Sequence, residues 1–288
     1  MKSITFKKLI LTCILSYSVI VPSTSFAADP CSTNDAGEII VSGDQECSTS
    51  PDVQEVTFYL GALCKSKPVD PTTSTAIDLS SCSTFFKNDA GATVNIQLGA
   101  TSTLTGEFTK PTQGTYSYVY MEVDPVQSVT VTKTFAQNLE AYSSGKIGRV
   151  CWSGATSIFS WSAGASSVGD CGTAATASPQ KTTILVNAFD GTGIASASFP
   201  ISSGMTLNAF LLTSAKRLGT GTIDSMGDVE RLGGYFQKDY VVKRALTSII
   251  VNYNNQQGTS IITDDGGGGK TMMENFGAGP FDFSLTLQ

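Results

Sequence analysis

The 288-residue chain sets 18 Lys and Arg against 24 Asp and Glu, a net charge of −6, and contains no histidine. An acidic chain without a basic cluster gains little from counterion release, which excludes nucleic acid as a partner; without histidine, Ser-His-Asp and Cys-His catalysis and histidine-bearing zinc sites are excluded as well. Only 15% of residues are charged, while Ser and Thr make up about a quarter, a composition that suits secreted β structure.

Lys2, Lys7 and Lys8 precede an apolar run from Leu9 to Val21, and Ser25 and Ala27 then place small residues before Ala28. This run falls short of the ~20 residues of a membrane helix and matches a signal peptide over residues 1–27, cleaved near Ala27/Ala28. Thr12 before Cys13, with the apolar run continuing beyond, does not fit a lipidation site. No later segment is long and apolar enough to span a bilayer as a helix, so no transmembrane anchor is expected. The six remaining cysteines form neighbouring couples, Cys31 with Cys47, Cys64 with Cys82, and Cys151 with Cys171. Behind an export signal an even set reads as three disulfides, in the periplasm, on the cell surface or in the medium, although sequence alone leaves their connectivity open.

In the polar stretch 29–52 only Glu38–Val41 looks strand-like. Val53–Leu63 places Val56, Phe58 and Leu60 on one face and runs into Cys64. A Pro/Thr/Ser-rich excursion returns at Cys82, and a disulfide closing a loop of that size stabilises by about 3 kcal/mol in the chain-entropy picture. Alternating segments follow at Ala92–Leu98, Ser102–Phe108, Thr115–Val123 and Ser128–Phe135. In the third of these, Tyr116, Tyr118 and Tyr120 share one face. Phe135–Tyr142 and Asp228–Tyr235 are the two stretches with helical spacing. Val150–Trp152 and Ser157–Trp161 are expected to form a hairpin inside a Ser/Gly/Ala-rich region. Strands resume at Thr182–Phe189, Ala195–Ile201, Thr206–Thr213, Tyr240–Tyr253 and Thr259–Thr263, and the chain closes on Phe281–Leu287, alternating Phe281, Phe283, Leu285 and Leu287.

Period-2 runs separated by Gly, Pro and Asp specify an all-β, antiparallel β-sandwich with disulfide-stapled loops. The expected organisation is an N-terminal β domain over 28–142, a disulfide-closed loop over 143–181 and a C-terminal β domain over 182–288. One large sandwich carrying an inserted loop is the alternative.

Several short patterns imitate catalytic motifs. Asp264–Thr271 ends in Gly-Lys-Thr, but a phosphate loop needs Gly where Asp264 stands, so a surface loop accounts for it better. Asp264 and Asp265 are a weak calcium candidate, and Asp224, Asp228 and Glu230 a second, both short of the six to eight oxygens calcium takes. Asp190-Gly191-Thr192-Gly193 lacks the second carboxylate of an aspartic dyad. Ser143–Lys146 and Ser178–Lys181 have Ser-x-x-Lys spacing, but Gly145 and Pro179 oppose the helical turn that would join hydroxyl to amine. No cofactor, metal site or catalytic residue is expected. Aromatic residues are the ligand-binding candidates: Trp152 and Trp161 in the last disulfide loop, and Tyr116, Tyr118 and Tyr120 on their strand, where stacking on a glycan competes with ordinary cross-strand packing.

Lys110-Pro111-Thr112-Gln113-Gly114-Thr115-Tyr116 resembles the Gly-Thr-Tyr strand entry of prealbumin-like and Cna-B-like sandwich modules. The expected sandwich is Ig-like, prealbumin-like or jelly-roll, and the resemblance implies a stalk or scaffold module without a catalytic residue. The closing strand, Phe281–Gln288, is similar in shape to the end of two-domain tip adhesins of chaperone–usher pili. Leu287 and Asn275 depart from that family's penultimate Tyr and its Gly about fourteen residues from the end. Together these features lead us to expect a structural or adhesive envelope or appendage protein, not an enzyme. Its partners would be other surface proteins, with self-assembly through the C-terminal strand. The alternatives are a module for a glycan or small polar ligand, and a hydrolase working through carboxylates alone.

Overall fold

The computed structural model describes residues 9–13, 29–70, 76–155, 159–160, 169–186, 196–200, 205–213, 218, 229–267, 269–278 and 282–288. Among them the chain is all-β, with no α-helix and a single 3-10 turn at Ala174–Thr176. Antiparallel sheets pack on one another as a β-sandwich.

The principal sheet is centred on Val53–Cys64. One edge of this strand pairs antiparallel with Cys82–Ile96, from Gln54 opposite Ile96 to Cys64 opposite Cys82. Its other edge divides: Val53–Glu55 pair with Val126–Thr130, and Phe58–Cys64 with Gly114–Val123. Val229–Val242, Thr206–Thr213 and Ser196–Pro200 extend the sheet beyond Gly114–Val123, each antiparallel to the last. A second sheet runs in the order Gly169–Gly172, Ile147–Ser153, Thr132–Ala141, Thr271–Ala278, Thr259–Asp265, Gln45–Thr49. The third is small: Asp282–Leu287, Ile249–Asn254, Leu9–Cys13 and Thr101–Thr103.

All three sheets combine strands from before residue 143 with strands from after residue 181. The expected division into 28–142 and 182–288 therefore separates no sheet. The alternation that marks a strand says nothing of its partner, and here the partners are distant in the chain.

Both helical expectations are corrected to strands. In Val229–Val242 the apolar residues Leu232, Phe236 and Tyr240 recur every four positions, a spacing that also fits a period of two. In Thr132–Ala141 the cause is a bulge. Leu139 faces Gly148 and Thr134 faces Val150, so five positions on one strand oppose two on the other. The extra residues turn to the chain at Ile39, whose amide donates to the Thr134 carbonyl and whose carbonyl accepts from the Ala136 amide. The hairpin expectation is corrected too: Ile147–Ser153 pairs with Gly169–Gly172, while Phe159–Ser160 runs parallel to Ile184 and Leu185. Tyr240–Tyr253 is two strands in different sheets, joined by a turn in which the Leu246 amide donates to the Lys243 carbonyl.

The main core lies between the principal and small sheets, where Phe58 meets Tyr253 edge-on at 6.2 Å and Phe236 meets Phe283 at 5.1 Å between ring centroids. The back of the principal sheet buries Leu60, Tyr120, Phe210 and Tyr235 beneath Val69, Ile77 and Leu79. Those three covering residues belong to the loop that the Cys64–Cys82 disulfide closes. A third cluster gathers Phe135, Leu139, Ile261 and Phe276 of the second sheet with Val129 and Ile184. The Cys31–Cys47 and Cys151–Cys171 disulfides complete the set. In two of the three, the linked cysteines stand directly opposite each other on paired strands, Cys64 with Cys82 and Cys151 with Cys171.

Candidate functional site

The tyrosines of Gly114–Val123 do not form an open stacking face. Tyr116 is buried, and its hydroxyl donates to the Thr112 carbonyl at 2.9 Å and lies 2.7 Å from the Thr112 hydroxyl. It thus ties the strand entry back onto the preceding turn, as a tyrosine corner does. Tyr120 is also buried, stacked on Phe210 with centroids 6.3 Å apart. Burial first, then the nearby Glu122 carboxylate, pushes its hydroxyl well above the ordinary tyrosine range. Tyr118 is half-buried against the edge of Tyr235. Stacking on a sugar needs one open ring face, and the buried Tyr116 and Tyr120 offer none. Trp152 is 4% exposed, with Gly172 so near that a Cβ there would lie 3.1 Å from the indole Cη2. Trp161 lies outside the described residues, as do Asp190, Thr192, Asp224 and Asp228.

The glycine-rich stretch after Asp265 is the tip of a hairpin between Thr259–Asp265 and Thr271–Ala278. A strand, not a helix, follows Lys270, and Lys270 pairs with Glu140 at 3.1 Å. Asp44 joins this tip, accepting from the Asp265 amide. Its hydrogen bond with the Asp264 carboxyl, followed by burial and the charge of Asp44, raises Asp264 above the usual carboxylate range. Among the described residues no group of three or more His, Cys, Asp or Glu side chains is arranged to hold a metal ion. The two Ser-x-x-Lys lysines are engaged elsewhere, Lys146 with Asp170 at 2.6 Å and Lys181 with Glu55 at 3.1 Å.

A different site emerges where three strand irregularities of the principal sheet meet. Phe58 and Leu60 face the consecutive residues Val123 and Glu122, which leaves Tyr59 as an extra residue. Across the other edge, Phe58 faces Ala92 and Leu60 faces Lys87, so Asn88–Gly91 bulges out. Leu212 faces Arg231 and Thr213 faces Val229, leaving Glu230 extra. Bulges bend a strand and re-aim side chains, and they are enriched beside functional sites. Here they surround a cleft of about 90 Å³ lined by Tyr59, Lys87, Asp89, Glu122, Glu230 and Arg231, with Leu60 and Thr213.

The parts of the cleft hold one another in place. The Arg231 guanidinium lies 3.4 Å from the Tyr59 ring centroid, a close cation–π stack. The Tyr59 hydroxyl donates to Asp124 at 2.6 Å. Burial, then that hydrogen bond and the Asp124 charge, push Tyr59 up to about 12. Gly91, at φ +86°, lets the bulge close over this ring: a Cβ would lie 2.5 Å from Thr57 Cγ2 and 3.0 Å from the ring of Tyr59. Glu122 is the buried carboxylate of the cleft and accepts from the Tyr120 hydroxyl at 2.9 Å. Lys87 pairs with Asp89 at 2.9 Å nearer the solvent.

A water takes about 30 Å³ and an ordinary ligand pocket ~300 Å³ or more, so this cleft admits waters, a small ion or one side chain. Of the charged residues lining the cleft, only Glu230 stands out in the sequence as a candidate. One signal was available for Glu122: it is a carboxylate on the tyrosine face of an otherwise apolar strand end, between Met121 and Val123. Comparison of the chain with protein-family models, with curated proteins and with solved structures found no match.

Proposed function

We propose that the chain is an exported structural or adhesive protein of the cell envelope or a surface appendage, acting without catalysis alongside other surface proteins. The observation that carries this reading is the use made of the disulfides. Cys31–Cys47 ties the N-terminal segment to the second sheet, Cys151–Cys171 cross-links two of that sheet's paired strands, and Cys64–Cys82 clamps an apolar cover over the back-face aromatics. Such staples form and persist in oxidising compartments and restrict the unfolded chain. The test is fractionation of the producing cells with thiol alkylation. This reading expects the chain in the envelope or in a sedimenting appendage fraction, with all six cysteines of the exported chain oxidised. A soluble cytosolic monomer with alkylatable thiols would overturn it.

A second reading, a module for a small charged group, is favoured by the meeting of three bulges at the Glu122 cleft. Its test is calorimetric titration with a panel of small cations, amines and guanidinium compounds, with Glu122→Gln as the comparison. Binding lost in that variant supports the reading, and absence of heat across the panel rejects it.

A further inference from the structure

The small third sheet is built around a strand of the leader. Leu9–Cys13 runs parallel to Ile249–Asn254, from Leu9 opposite Ile249 to Cys13 opposite Tyr253. Its other edge pairs antiparallel with Thr101–Thr103, from Ile10 opposite Thr103 to Thr12 opposite Thr101. Remove the leader, as export with cleavage requires, and these two neighbours stand two strand spacings apart, ~9.6 Å. That is far beyond hydrogen-bonding distance, so each presents a row of unpaired main-chain groups to a gap one strand wide. The gap adjoins the main core, to which Ile249, Val251, Tyr253 and Leu104 belong. Solvent-facing edges are ordinarily blunted by charge or proline. Neither Ile249–Tyr253 nor Thr101–Leu104 contains a charged residue or a proline.

We propose that, once the leader is gone, this slot accepts an extended apolar strand from a different protein, running parallel to Ile249–Asn254. The inference rests on the reading that the chain is exported and its leader removed. A different protein is the donor because, among the described residues, neither terminal segment is free to be donated by a second copy. The Asp29 carbonyl accepts from the Ser48 amide, the Cys31 amide donates to the Ser48 carbonyl, and Cys31 is bonded to Cys47. At the other end, Asp282–Leu287 fills the opposite edge of Ile249–Asn254, with Phe283 and Leu285 in the core. Successive side chains of a strand point to opposite faces. The donor therefore needs an uncharged run of about five residues with leucine- or isoleucine-sized side chains at alternate positions, held mainly by main-chain hydrogen bonds.

The test starts from the exported protein, whose intact mass reports whether residues 1–27 are absent. A fluorescent peptide spanning residues 7–15, with Cys13→Ser to prevent disulfide exchange, is then titrated into it by anisotropy. The expected result is saturable one-to-one binding to a protein that sediments as a monomer. A Leu11→Pro peptide should bind at least tenfold more weakly, because proline cannot donate to the ladder. Equal binding of both peptides, or no binding by a folded chain with three intact disulfides, would overturn the slot. A homodimer that the peptide dissociates would overturn the choice of donor by assigning the slot to a second copy. A retained leader overturns the proposal through its premise, whereas a cleaved chain that ignores the peptide overturns the slot alone.

Discussion

Phe283→Ala probes how the small sheet is joined to the principal one. Phe283 is 5% exposed and packs edge-on to Phe236, with centroids 5.1 Å apart and planes at 65°. Truncating a buried phenylalanine costs ~3–5 kcal/mol, of which ~0.5–1.5 kcal/mol belongs to the aromatic pair. Because Phe283 sits on the outermost strand of its sheet, the lower end, about 3 kcal/mol, is expected. At ~2–4 °C per kcal/mol for a chain of this size, the melting temperature should fall by about 6–12 °C. Urea unfolding gives the stability loss and thermal unfolding the melting temperature, both with the disulfides intact, for Phe283→Ala, Phe236→Ala and the double variant. The coupling between the two sites should be about 1 kcal/mol. A loss under about 1 kcal/mol with no coupling would show that the closing strand is not part of this core.

Replacing Cys64 and Cys82 together by Ser should cost about 3 kcal/mol and open residues 65–81 to protease, visible by denaturant titration and limited proteolysis; an unchanged midpoint would refute the clamp. Tyr59, raised to about 12 in the folded state, keeps its proton after the unfolded chain has begun to lose its own near 10. The native state then binds more protons, so its contribution, fully present below pH 10, is lost as pH rises from about 10 to 12. Melting temperatures across that range should fall less steeply for Tyr59→Phe than for the unmodified chain, and parallel curves would contradict the assignment. Gly91→Ala should destabilise by about 1–3 kcal/mol, since it combines a positive φ with contact against Thr57 and Tyr59. A neutral result in thermal unfolding would mean that the bulge relaxes freely.

The strands were legible where one face is buried and the other wet. Phe283 and Leu285 alternate with Ser284 and Thr286, and Val56 and Phe58 with Thr57, so a period of two is written directly in the residues. It failed where the backbone carries extra residues: the bulge between Thr134 and Leu139 places Phe135 and Leu139 four apart and imitates a helical face. Pairing was marked only where cysteine couples face each other, Cys64 with Cys82 and Cys151 with Cys171; elsewhere, as where Gln45–Thr49 joins Thr259–Asp265 across most of the chain length, alternation carries no record of a partner. The same reason hid the cleft. Tyr59, Lys87, Glu122 and Arg231 come from four strands brought together by register shifts, and each alone looks like an ordinary strand residue. The tyrosines misled differently: hydrophobic aromatic rings with hydroxyls fit a binding face and a core equally well, and here the Thr112 carbonyl and Glu122 satisfy two of those hydroxyls inside.

Hydrogen exchange on the chain with and without residues 1–27 tests most directly whether the mature sandwich is one strand short. With the leader removed, amides of Ile249–Tyr253 and Thr101–Thr103 should exchange faster and regain protection when the 7–15 peptide is added, while Val53–Cys64 stays protected throughout. Equal protection of Ile249–Tyr253 in both chains would contradict the vacancy. Loss of protection extending through Val53–Cys64 would instead show that the leader strand is part of the core itself.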